Sequence, residues 1–269
     1  MIKRITKILT RDGVFYTLKR IFAWTVAKTP LRNKLSFSYY KDTRLSFSPS
    51  MLTYVLFAST QGRKGDLSTL EKHISPGSTV IDIGGNIGSI AIAAAKLTGT
   101  EGKVLVFEPS PKFAKIIQRN MHINNYEKIV TLHPVAVGAE KNTVYLNEDV
   151  ADDTTNHIAQ AGTEVQQETL DSFTREIECV DFLKIDVEGY ELAVLQGATQ
   201  TLQKTKKIYI EFIPLHLKRA GTNPTDVVDI LKNHFEMFTK DKNGLKPFVY
   251  DPALDRYPDL FGVSKNIKV

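Results

Sequence analysis

The sequence predicts an α/β sandwich, a mainly parallel sheet with helices on both faces. Three observations carry that expectation. From Thr79 onward, short apolar runs alternate with stretches of helical period. Several of the runs are near-continuous in Val, Ile, Leu and Phe, the mark of strands covered on both sides. The stretch TVIDIGGNIGSIAIAAAKL, Thr79 to Leu97, reads as strand, glycine turn and helix, a unit that holds nucleotide-like cofactors.

Taken in order, residues 1–35 form a basic arm. Nine Lys and Arg stand there against one acid, Asp12, a balance of +8, while the whole chain carries +5, so the rest sums to −3. Ile2, Ile5, Ile8 and Leu9 recur at helical spacing, and after Asp12-Gly13 so do Val14, Leu18, Ile21, Phe22 and Val26, with Tyr16 and Trp24 alongside. The longest uncharged run, IFAWTVA, has seven residues, far short of the roughly 20 that span a membrane. Lys19 and Arg20 also interrupt any signal-peptide core. Two readings of this arm stay open. Its apolar stripe lies in a headgroup layer with the cations drawn to anionic lipid, or it packs on the body with the charges solvated. Nucleic-acid binding ranks below both, because the body is acidic and lacks an aromatic RNA-binding signature.

Residues 36–76 begin with the end of LSFSYYKDTRLSFSP, whose period of two about a Lys-Asp-Thr turn predicts a hairpin. MLTYVLFAST and DLSTLEKHI read as helices, ending at the turn SPGS. Residues 77–240 then supply strands TVIDIG, KVLVFEP, IVTLHPVAVG, VDFLKIDV and KKIYIEFIP. Helices are expected over Gly88–Leu97, Pro111–Asn124, Tyr190–Lys204 and Pro224–Phe235. A polar, hairpin-like stretch between Thr143 and Phe173 is where a substrate-facing lid would be built. Residues 241–269 read as a C-terminal tail. The single cysteine, Cys179, forms no intramolecular disulfide and no zinc site; it reads as an inert core thiol in a reducing, cytoplasmic compartment.

The glycine turn narrows the cofactor. No Lys follows it, which excludes a P-loop, and Ile83 stands where the dinucleotide pattern needs its first glycine. Asp82, at the strand end, suits a ligand presenting an ammonium, as the methionine end of S-adenosylmethionine does. Gly84 and Gly88 let the backbone approach closely, and the helix start at Gly88 favours a carboxylate. Glu108, twenty residues beyond Gly88, is placed to accept both ribose hydroxyls. On this reading Asp82→Ala abolishes cofactor binding and leaves the fold intact.

VIDIGGNIG, VFEPSP, ETLDSF and above all VDFLKIDVEGYELAVLQGA resemble the FkbM-type family of S-adenosylmethionine-dependent methyltransferases, over about Gly77 to Pro214. Where that family usually has Ala, this chain has Gly85. The resemblance implies a Rossmann-like class I methyltransferase sandwich with a mainly parallel seven-stranded sheet, preceded here by the helical arm and hairpin. It also implies methyl transfer, most often to a hydroxyl of a sugar or natural product. The candidate cofactor-binding set is Asp82, Gly84, Gly85, Asn86, Gly88, Glu108, Pro109, Ser110 and Val137.

Ligands of such sheets bind at the carboxyl ends of strands, which points to Asp186, Glu188 and Glu211 as catalytic candidates, with His157 from the polar stretch and His216 as a further one. Each has a blander role: Glu188 as a charge at a helix start, the histidines as solvated or structural groups, Asp152 and Asp153 as loop solvation. Lys184 is read on the face opposite Asp186, in a supporting role. Asp186 and Glu211 are placed to hold Mg²⁺, though no third acid is evident. DVEGY stands where nucleobase amino-methylases carry an Asn/Asp-Pro-Pro-aromatic motif, which disfavours that substrate. The leading expectation is O-methylation of a glycan or related polar metabolite, lipid-linked at the inner face of a membrane if the arm touches one. An NAD-dependent oxidoreductase and a non-catalytic membrane-associated scaffold are the alternatives.

Overall fold

The computed structural model describes residues 13–59, 63–148, 156–241 and 244–267. The expectations for Ile2, Ile5, Ile8 and Leu9, and for Asp152 and Asp153, fall outside those residues.

Helix α1 (Val14–Ala27) leads through a 3₁₀ turn at Pro30–Asn33 to the hairpin β1 (Ser36–Ser38) and β2 (Arg44–Ser46). Helices α2 (Met51–Ala58) and α3 (Lys64–His73) complete an N-terminal module. The main domain opens with β3 (Thr79–Ile83), α4 (Ser89–Thr98), β4 (Lys103–Phe107), α5 (Pro111–Asn124) and β5 (Val130–His133). A side sheet follows, made of β6 (Ala136–Val137), β7 (Asn142–Asn147), β8 (His157–Ala159) and β9 (Thr163–Glu168). After the short α6 (Leu170–Phe173) come β10 (Phe182–Ile185), α7 (Glu191–Gln196), α8 (Thr199–Gln203) and β11 (Lys207–Ile210). The chain ends in α9 (Pro214–Arg219), α10 (Pro224–His234), β12 (Phe235–Asp241), β13 (Gly244–Pro247) and β14 (Leu260–Ser264).

The main sheet runs β13-β12-β14-β11-β10-β3-β4-β5. The five strands from β11 to β5 are parallel, and β14, β12 and β13 join antiparallel. The α/β expectation holds, with an eighth strand where seven were expected. Residues 241–269 are no separate tail, because β14 inserts between β11 and β12. The expected strand IVTLHPVAVG is two strands in different sheets, broken at Pro134, which has no N–H to give a ladder. The helix expected over Tyr190–Lys204 is interrupted at Gly197-Ala198, and Phe235 opens β12 instead of closing a helix.

Alternation along the strands splits the core in two. Val80, Val104, Val106 and Phe182 face α4, α5 and the N-terminal module, whereas Ile81, Ile83, Leu105, Leu183, Ile185, Ile208 and Ile210 face α7, α8 and α10. Each such side chain contributes roughly 1.5–3 kcal/mol on burial. Helix α4 is buried almost all round, from Ser89 to Ala95, because it lies between the sheet and the N-terminal module. Asn120 of α5 ties three parts together. Its buried side chain accepts the Ser46 N–H at 2.8 Å and donates to the Ile87 carbonyl at 2.8 Å, joining hairpin, helix and glycine turn.

Candidate functional site

The register sets the charges. Asp82 of β3 lies beside Lys184 of β10, and Lys184 beside Tyr209 of β11, so Asp186 and Glu211 emerge at adjacent strand ends. Gly84 follows β3 at φ 83°, and a Cβ there would strike the carbonyl oxygen of Asp186. The Gly84 and Gly85 N–H groups both donate to the Phe107 carbonyl at 3.0 Å, binding the turn to β4. Gly85 and Gly88 serve packing: a Cβ at Gly85 would strike Val106 and one at Gly88 would crowd Ile117, and neither glycine lines the cavity beside the turn.

At this end of the sheet lies a cavity of about 220 Å³. Gly84 and Asn86 of the turn, Glu108, Pro109, Val137 and the acids Asp186, Glu188 and Glu211 line it. Glu108 is buried and accepts the N–H of Asn86 at 2.7 Å and of Ser110 at 2.9 Å. Burial raises its pKa to about 7, against those two donors and with help from Asp82 and Glu148. Ser110 itself stays behind the wall as the cap of α5.

Asp82 is fully buried and does not reach the cavity. Its Oδ1 lies 3.4 Å from Lys184 Nζ, and neither oxygen has a hydrogen bond. Lys184 stands 3.2 Å from Asp186 Oδ2 as well, on the same side and not opposite, as residues two apart on a strand must. One buried cation thus serves two acids. Burial works against the charge on Lys184, but Asp186 and then Asp82 outweigh it and raise its pKa. Burial likewise opposes ionisation of Asp186, and Lys184 with Arg63 overcomes it, holding Asp186 below the usual range. Asp82 is raised by burial, with Lys184 pulling the other way. Direct contact of Asp82 with a ligand ammonium is therefore corrected to support from beneath, and Asp82→Ala would leave Lys184 short of a partner inside the sheet.

Arg63 enters from the N-terminal module, a residue with no motif around it. It lines the cavity and donates to Asp66 Oδ2 at 2.8 Å through Nη1. Burial opposes its charge, and Asp66 and Asp186 together more than restore it. Among the described residues lining this cavity, Arg63 is the one Lys or Arg.

A second cavity, of about 660 Å³, adjoins the first, and His157, Ile158, Glu188 and Tyr190 line both. His216 and Arg219 line the larger cavity and not the smaller. Glu188 has φ 53°, strained for a residue with a side chain, and does not start a helix; that acidic first-turn position belongs to Glu191. Glu188 Oε2 lies 3.0 Å from His216 Nδ1. Burial first, then Arg219, Arg256 and His157, hold His216 below the ordinary histidine value. Glu211 is pushed up to about 9 by burial, then by Asp186 and Glu188.

The family model for the methyltransferase FkbM domain matches residues 82–236. The chain belongs to the FkbM methyltransferase family. A 2-O-methyltransferase, NoeI, from Sinorhizobium fredii is 26% identical over 200 residues, 67% of this chain and 80% of that protein. The hexuronic acid methyltransferase AglP of Haloferax volcanii is 27% identical over 157 residues, 56% of this chain and 59% of its own length. Methyltransferase 1 of Beauveria bassiana is 31% identical over 146 residues, 45% of this chain and 58% of its own length.

This FkbM protein is an S-adenosylmethionine-dependent methyltransferase, and its cavity fits that cofactor. The ligand carries two positive centres and one carboxylate. The walls offer four acids and one arginine, with a buried Asp82 whose oxygens lack hydrogen bonds behind them. Of the expected cofactor residues, Gly84, Asn86, Glu108, Pro109 and Val137 line the cavity, and Asp82, Gly85, Gly88 and Ser110 support it from behind. Asp186, Glu188, Glu211 and His157 all face it. The Mg²⁺ pair fares less well. Asp186 is engaged by Lys184, and the groups that converge within 4.8 Å are Glu188, Glu211 and His216, a nitrogen-containing set that Mg²⁺ does not favour. Cys179, ahead of β10, is half-buried and not a core thiol.

Proposed function

We propose that the protein methylates a hydroxyl of a saccharide, with S-adenosylmethionine in the smaller cavity and the sugar in the larger one. The observation that carries this reading is the Glu188–His216 pair, 3.0 Å apart, with Glu188 on the wall the two cavities share and His216 in the larger one. The names of two relatives, a 2-O-methyltransferase and a hexuronic acid methyltransferase, support an oxygen acceptor on a sugar.

The bound cofactor supplies an electrophilic methyl on a good leaving group, so orientation provides most of the rate. Glu108 would hold the ribose hydroxyls, Asp186 the ammonium and Arg63 the carboxylate, with Pro109 and Val137 available to the base. The His216 imidazole, neutral at pH 7, accepts the acceptor hydroxyl's proton, and Glu188 steadies the cation that results. Glu211 of the smaller cavity, protonated at neutral pH, and His157, which lines both, hydrogen-bond the sugar where the two cavities meet. The exposed apolar residues of α1, Phe15, Leu18, Ile21 and Trp24, and the basic balance of residues 1–35 favour a lipid-linked sugar as that acceptor.

Calorimetric titration with S-adenosylmethionine, S-adenosylhomocysteine, decarboxylated S-adenosylmethionine and NAD tests the cofactor half. All three sulfur ligands are expected to bind and NAD is not. Arg63→Gln should weaken S-adenosylmethionine by about ten-fold and leave the decarboxylated analogue unchanged, the loss of one charge-assisted contact. In a saccharide acceptor screen, His216→Ala should lower kcat by about 10²-fold or more. Binding of NAD alone, or undiminished turnover by His216→Ala, would overturn the proposal.

A further inference from the structure

We propose that Tyr209, acting through Asp66, is a positioning residue for Arg63 and sets the enzyme's preference for a cofactor that carries a carboxylate. The proposal deepens the cofactor assignment above and rests on Arg63 receiving that carboxylate.

The side chains involved come from three parts of the fold. Arg63 and Asp66 stand at the start of α3 in the N-terminal module, three residues apart. Tyr209 lies in β11, opposite Lys184 of β10 and Phe261 of β14. Ile208 and Ile210 face the other layer of the core, so alternation turns the Tyr209 ring to the side of α3. Asp259 immediately precedes β14. Arg63 lines the cofactor cavity, and Asp66, Tyr209 and Asp259 do not. Their route to the cofactor is the arginine.

The contacts form an ordered chain. Arg63 Nη1 donates to Asp66 Oδ2 at 2.8 Å, the one hydrogen bond of its guanidinium among the described residues. The Tyr209 hydroxyl lies 2.9 Å from the other oxygen, Asp66 Oδ1, and 2.6 Å from Asp259 Oδ2. A phenol has one proton to give and cannot donate to both acids. The ion pair with Arg63 keeps Asp66 an acceptor, so Tyr209 donates to it. Asp259 then keeps its own proton and donates to the phenol oxygen. Burial raises Asp259 toward that form, and burial with Asp66 and Asp259 raises the phenol far above its ordinary value.

For the cofactor, the occupied Oδ1 is what counts. A guanidinium and a free carboxylate close into a two-point pair of parallel N–H···O bonds. With Oδ1 taken by Tyr209, Asp66 holds Arg63 through a single nitrogen. The remaining donors of the guanidinium fork stay available to a carboxylate in the cavity. Without the hydroxyl, Asp66 is free to take both nitrogens for itself and turn the fork away.

Calorimetric titration of the full-length protein with S-adenosylmethionine and with its decarboxylated analogue reads the preference as a ratio of dissociation constants. Arg63→Gln should lower that ratio about ten-fold. Tyr209→Phe should lower it by roughly three- to ten-fold, the scale of one intramolecular hydrogen bond, and bind the analogue as the parent protein does. Tyr209→Phe with Asp259→Leu leaves no buried acid without its phenol, and should show the same lowered ratio if the single variant does not fold. Equal loss of affinity for both ligands would make Tyr209 a structural residue and overturn the proposal. So would an unchanged ratio in the Tyr209 variants while Arg63→Gln lowers it, which leaves the carboxylate assignment standing. An unchanged ratio in Arg63→Gln would overturn that assignment and the positioning role with it.

Discussion

Glu108 is a carboxylate whose usefulness depends on pH. In the cofactor role proposed for it, accepting two ribose hydroxyls requires the ionised form, and burial has moved its pKa to about 7. Below that value the proton occupies a lone pair that the ribose needs, so cofactor affinity should rise as pH increases from 6 to 8 and level off above. Glu108→Gln should bind more weakly and lose that dependence; titration with S-adenosylhomocysteine across the range checks both. Glu108 was legible in the sequence because its strand and spacing announce it. Arg63 was not, since nothing in the residues around it distinguishes it from a surface arginine and only tertiary packing carries it across the sheet to Asp186. Asp82 was half legible. Its position at the strand end was correct, but period-two alternation does not tell whether a carboxylate meets solvent or a buried lysine, and Lys184 meets it.

At the level of elements, the apolar runs of β3, β4, β10 and β11 and the helical period of α5 and α10 were readable because burial on both faces leaves no polar alternation to confuse them. The breaks were less so. Gly197, between α7 and α8, stands in an otherwise helical stretch, and the structure gives its reason: a Cβ there would collide with the Gly138 carbonyl, where the side sheet joins the main domain. Backbone cannot yield as a side chain does. Gly197→Ala should therefore cost about 3 kcal/mol or more, a fall in melting temperature of roughly 6–12 °C, measurable by calorimetry. Gly65→Ala, with open space around it in α3, is the matched control and should be close to neutral.

Across the whole molecule, the least legible feature was the place of the last strand, because sequence neighbours usually pair and β14 does not pair with β13. Strand β14 lies between β11 and β12, with Leu260 fully buried and Phe261 packed on the N-terminal side of the sheet. Removing residues 257–269 takes away a central strand and not a tail. Such a truncation should lose the cooperative unfolding transition altogether, whereas trimming after Lys265 should leave it intact; thermal melts of the two would separate these outcomes.

That insertion also governs the order in which the protein can be made. A chain leaving the ribosome can assemble the five parallel strands and the cofactor turn as soon as β11 is out. Its growing sheet then ends in an open edge at β11, which β12 cannot seal because the place beside it is reserved for β14. For the time needed to synthesise residues 211–264, the nascent enzyme presents an unpaired strand, and chaperone engagement during translation is expected to concentrate in that interval.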